Sequence, residues 1–127
     1  MVNSENSEKP DGGLERSASA QAQMRKGVLE LCILSILSQG DAYPTEIIDK
    51  LKDTKLVVVE GTLYPLLTRL KNTGLLGYRW EESTSGPPRK YYKLTEIGEK
   101  YLKELQLSWV DLVDAVNKTI EKGKNNI

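Results

Sequence analysis

A chain of 127 residues with 39% hydrophobic and 28% charged residues is sized for one modest core rather than two. Lys and Arg number 18, Asp and Glu 18, histidine is absent and Cys32 is the sole cysteine. The usual general base, the usual metal ligand, Cys-His and Ser-His-Asp nucleophile systems and an intrachain disulfide are therefore excluded.

No apolar run reaches the roughly 18 to 20 residues of a membrane span. The opening MVNSENSEKPDGG has neither the basic start nor the apolar centre of a secretory signal. These features predict a soluble cytoplasmic protein without cofactor, metal or membrane partner, and Cys32, inside the apolar run Val28 to Leu37, reads as a buried inert thiol. The zero net charge is unevenly spread. Between Glu60 and Lys93 the cations Arg69, Lys71, Arg79, Arg89, Lys90 and Lys93 face only Glu60, Glu81 and Glu82, which makes the middle of the chain a candidate polyanion surface.

Residues 1–22 hold almost no large apolar side chain and read as a disordered tail that cannot offset its ordering entropy by burial. From Met24 to Gln39 the apolar residues cover nearly the whole helical circumference, which predicts a helix buried on several sides. The turn DAYP follows, then a short helix from Thr45 to about Lys52 with Ile47, Ile48 and Leu51 inward. A third helix over Thr62–Asn72, starting at Gly61 or Thr62, buries Leu63, Leu66, Leu67 and Leu70 at the i, i+3, i+4, i+7 spacing. Its outer face carries Pro65, Thr68 and Asn72, with Thr62 and Arg69 on one shoulder and Tyr64 and Lys71 on the other.

Two strands, Leu75–Glu82 and Arg89–Leu94, are joined by the turn-forming STSGPP. Tyr91 and Tyr92 alternate across the second, so one faces the core. Helices followed by a basic hairpin make the winged helix-turn-helix order, in which wing cations reach phosphate beside the recognition helix. A last helix, capped by Thr95 and running to about Lys122, spaces Leu102, Leu105, Trp109, Leu112, Val116 and Ile120 like a heptad seam, which needs a partner helix. The expected class is mainly α with a small β-hairpin (α+β). The expected division is a winged helix-turn-helix domain over 23–94, a dimerisation helix over 95–122 and a disordered tail over 123–127, with Leu102, Leu105, Trp109, Leu112 and Val116 at the homodimer interface.

The string from Gly61 to Leu70 (GTLYPLLTRL), then Gly74-Leu75-Leu76 and Gly86 to Gly98 (GPPRKYYKLTEIG), closely resembles the PadR family of transcriptional regulators. With Lys26-Gly27-Val28-Leu29 and Asp41-Ala42-Tyr43-Pro44 the likeness spans about residues 24–116. It implies a homodimer that binds a palindromic duplex operator and represses until a small aromatic or hydrophobic effector loosens it. It also implies DNA contacts at Tyr43, Thr62, Tyr64 and Pro65, and at Arg89 and Lys90 on the wing, whose Pro87-Pro88 pair replaces the family's more usual glycine or arginine. The short last helix is similar to that of the multidrug-sensing subgroup, which places Trp109 against an aromatic ligand, with Met24 and Leu31 facing the same cavity.

Alternatives stay open on the residues alone. Trp109 fits a plain interface core as well as a ligand stack. Arg69 fits either a DNA contact or an intramolecular ion pair. A winged-helix protein-interaction module without specific DNA binding is the competing reading, and no placement of acids and bases points to an enzyme.

Overall fold

The computed structural model describes residues 10–125, in four helices and a two-stranded antiparallel hairpin. Residues up to Glu30 form one compact unit and those from Leu31 onward a second.

In the first unit lies most of helix α1 (Pro10–Leu37). Helix therefore reaches back well before Met24, through residues 10–22 of the segment read from sequence as a tail, while residues 1–9 of that segment lie outside the described residues. Intrinsic propensity accounts for the extension. Pro10 suits a first turn, and Ala18, Ala20, Gln21, Ala22 and Gln23 are good helix formers although residues 15–27 stay exposed.

The second unit holds the core. Ile33 and Leu34 from the end of α1, Ile47 and Leu51 from α2 (Pro44–Asp53), and Leu63, Leu67 and Leu70 from α3 (Glu60–Asn72) are all buried. Leu66 and Ile48, at the edges of their apolar stripes, are only half-buried. Helix α3 packs on α2 and on β1 (Leu76–Ser83), whereas β2 (Gly86–Leu94) touches α2 and α4 (Glu96–Asn125).

Each junction has a local cause. Pro44 opens α2 as its first residue and forces Tyr43 into extended backbone, φ −94° and ψ 162°. There the Ala42 amide donates to the Tyr92 carbonyl (3.1 Å) and the Tyr92 amide to the Ala42 carbonyl (2.8 Å), so the DAYP segment forms a bridge beside β2. Helix α3 ends in a Schellman motif: Gly74 takes φ +84°, its amide donates to the Lys71 carbonyl, and the Leu75 amide donates to the Leu70 carbonyl, both at 3.0 Å.

The hairpin pairs Leu76 with Leu94, Tyr78 with Tyr92 and Trp80 with Lys90. Strand β2 begins three residues earlier than Arg89, at Gly86, and takes in both prolines. A two-stranded sheet tolerates them because each strand has a free edge, and the register slips between Glu81 and Ser83, opposite the two residues that lack an amide donor.

Thr95 caps α4 as its pattern predicts. Its hydroxyl accepts from the Gly98 amide (3.0 Å) and donates to the Gly74 carbonyl (2.6 Å), fastening the helix start to the end of α3. Leu102 is already buried within the protomer, since the first turns of α4 lie against β2. The part of the apolar seam that stays uncovered runs from the half-buried Leu105 through the exposed Trp109, Leu112, Val116 and Ile120.

Candidate nucleic-acid interface

Helix α3 begins at Glu60, just before the start expected at Gly61 or Thr62, with its first-turn carboxylate near the positive end of the helix dipole. Pro65 is then the sixth helical residue. It cannot donate to the Gly61 carbonyl four residues back, which leaves the first turns of the helix without that bond. Thr62, Tyr64, Pro65, Thr68 and Arg69 are all exposed, Tyr64 by 44%, so α3 presents an uncovered polar and aromatic side.

Beside it stands the hairpin, whose period of two puts Arg89 and Lys90 on opposite faces. On one face the Arg89 guanidinium stacks over the Tyr43 ring at 4.5 Å, Tyr43 meets Tyr91 edge-on at 5.1 Å, and the Arg79 guanidinium lies over Tyr91 at 4.8 Å. Arg79 also bonds to Glu81 and stands 3.5 Å from Asp41; the Glu81 hydrogen bond first, then the two carboxylate charges, raise its pKa and keep it charged. The result is a row that runs cation, ring, ring, cation from Arg79 through Tyr91 and Tyr43 to Arg89.

On the other face the Lys90 ammonium sits 4.3 Å from the Tyr78 ring centre, 5.2 Å from Trp80 and 5.9 Å from Tyr92. Lys71 of α3 approaches Tyr78 from the helix side at 5.3 Å. Burial pushes the Tyr92 hydroxyl up, and Tyr64 and Tyr78 nearby push it further, so it stays protonated.

Between α3, the start of α2 and the hairpin lies an open cleft of about 470 Å³. Tyr43, Tyr64, Thr68, Trp80, Arg89 and Lys90 are among its lining residues, and no acid is. The structure thus brings together four of the residues singled out from sequence, Tyr43, Tyr64, Arg89 and Lys90. Thr62, Pro65 and Arg69 lie on the exposed side of α3 without lining the cleft. Trp80 was missed; its alternation with Tyr78 and its place opposite Lys90 were the available signal. Of the expected effector residues, Met24 is 69% exposed in the first unit; in the second, Leu31 is half-buried and Trp109 is 43% exposed. Among the described residues no helix is long and apolar enough to cross a membrane, and no group of three His, Cys, Asp or Glu side chains could hold a metal ion.

Residues 33–104 match the profile of the transcriptional regulator PadR-like family. Among solved structures, a PadR-like transcription factor from Bacteroides fragilis is 61% identical, over 78% of this chain and 96% of that one, with a TM-score of 0.67. A PadR family transcriptional regulator from Eggerthella lenta is 36% identical over 84% and 94% of the two chains, with a TM-score of 0.78. A PadR-like regulator from Bacillus cereus is 41% identical over 77% and 96%, with a TM-score of 0.69.

Proposed function

Because this chain belongs to the PadR-like family of transcriptional regulators, whose members bind DNA and are not enzymes, we propose that it acts in the cytoplasm as a homodimeric repressor of a palindromic operator. The observation that carries this reading is the acid-free cleft, with the exposed side of α3 on one wall and two wing cations, Arg89 and Lys90, on the other. Thr62, Tyr64 and Pro65 supply the groove-facing side of the recognition helix, and Arg69 a further cation near its end. Tyr43, Arg89 and Lys90 approach the phosphates that flank it.

Two protomers pair through the uncovered seam of α4, so that residues 23–94 serve as the DNA-binding part and 95–122 as the dimerisation part. Two recognition helices enter successive major grooves when they lie about 34 Å apart. A small aromatic or hydrophobic effector at Trp109 and Leu31 changes that spacing, provided it binds one arrangement more tightly than the other.

The test is selection of duplexes from a random pool by the purified protein, with Tyr64→Ala in parallel. A palindrome enriched by the wild type and lost by the variant supports the proposal. A folded protein that enriches nothing sinks it and favours a protein-interaction module.

A further inference from the structure

Trp80 is 62% exposed, although a ring of its size normally gains from burial. Its orientation is fixed nonetheless. The ring stands edge-on to Tyr78 at 6.3 Å and 89°, and Lys90, its cross-strand partner, lies 5.2 Å from its centre. The indole forms the boundary of two clefts. Toward α3 it shares the acid-free one with Tyr64, Thr68, Arg89 and Lys90; away from α3 it meets Glu82, Pro87 and Pro88. Glu82 disfavours an anion on the outer side, so a polyanion is directed to the side that faces the recognition helix.

A flat apolar ring in a cleft that also holds two cations, Lys90 beside the ring and Arg89 stacked over Tyr43, is complementary to a repeating unit that has an apolar sugar face between two phosphates. We propose that one strand of duplex DNA runs through this cleft with a deoxyribose packed on the Trp80 indole and its flanking phosphates beside Lys90 and Arg89. The proposal rests on the DNA-binding reading above. It adds an apolar anchor to the ionic contacts of the wing, and it assigns that anchor no base preference, since every nucleotide presents the same sugar.

The test uses a duplex selected from a random pool by the full chain, with Trp80→Phe and Trp80→Ala variants. Trp80 and Trp109 are the protein's tryptophans, so the duplex changes the emission of the wild type and leaves that of Trp80→Phe unchanged. Trp80→Ala binds roughly ten-fold more weakly. Its log–log salt slope stays that of the wild type, because a neutral ring displaces no counterion, while Lys90→Ala lowers the slope by about one. Bound duplex with unchanged wild-type emission overturns the proposal, and that readout does not depend on how any variant folds. Equal affinity for one strand of the same sequence also overturns it, pointing to base stacking, as does an equal emission change with polyglutamate. Failure to select any duplex is a different result, and it removes the DNA-binding reading itself.

Discussion

Gly98 approaches the backbone of Leu75 so closely that a β-carbon on it would stand 2.1 Å from the Leu75 carbonyl oxygen. This contact lies in the first turn of helix α4, where the Gly98 amide also donates to the Thr95 hydroxyl. Gly98→Ala must displace either the helix start or the turn after α3, neither of which is a flexible side-chain tip. A loss of about 1 to 3 kcal/mol in stability is expected, read as a lower thermal midpoint. Ala at Gly61, where a β-carbon meets open space, costs less than Ala at Gly98 in the same measurement.

The Arg89–Tyr43 stack predicts a dissociation between ring and hydroxyl. Tyr43→Phe keeps the ring under the guanidinium and retains near-wild-type duplex affinity. Tyr43→Ala removes it and frees Arg89 to sample other rotamers, which weakens binding several-fold, about 0.5 to 1 kcal/mol. Duplex titrations of the two variants side by side decide the matter: equal losses would assign the effect to the hydroxyl instead.

Along α4, Leu112 is exposed in the protomer and central to the seam. Leu112→Asp is expected to leave the fold of the domain intact and to shift sedimentation from dimer to monomer, since a carboxylate buried between two helices is strongly unfavourable. Operator affinity falls at least ten-fold, because each protomer then holds a single half-site. A variant that remains dimeric would place the interface elsewhere.

With no histidine in the chain, duplex affinity and stability are expected to stay flat between about pH 6 and 8. Change begins on the alkaline side. Burial raises the Cys32 thiol above its ordinary value of 9.0, so the folded state holds its proton where the unfolded state has released it. Stability is therefore full below the unfolded value and declines as pH rises through the folded one. Denaturant midpoints measured from pH 8 to 10 show this, and Cys32→Ala lessens the slope; Tyr92, also raised by burial, leaves a residual decline at higher pH.

The order of elements was legible in the sequence because each core face repeats on its own period: Leu63, Leu67 and Leu70 on the helical one, and the alternation of Tyr91 and Tyr92 on the strand one, of which Tyr92 is the buried member. The far end of α1 was not, because residues 15–27 contribute propensity without burial, and an apolar pattern cannot report it. The Arg89 stack was equally hidden. It depends on the Ala42–Tyr92 bridge, which brings Tyr43 to the wing across a long stretch of chain. Strand alternation already implies that Arg89 and Lys90 point apart; what each one meets emerges only once α2 and α3 are placed.

That bridge also has a kinetic side. The two amide–carbonyl bonds between Ala42 and Tyr92 close a loop containing α2, α3 and β1, so their formation carries the entropy of ordering that whole segment. The hairpin itself closes locally through its short turn. The wing can therefore zip early as a hairpin yet find its final azimuth only when the loop closes, and opening those two bonds releases its aim without unzipping it.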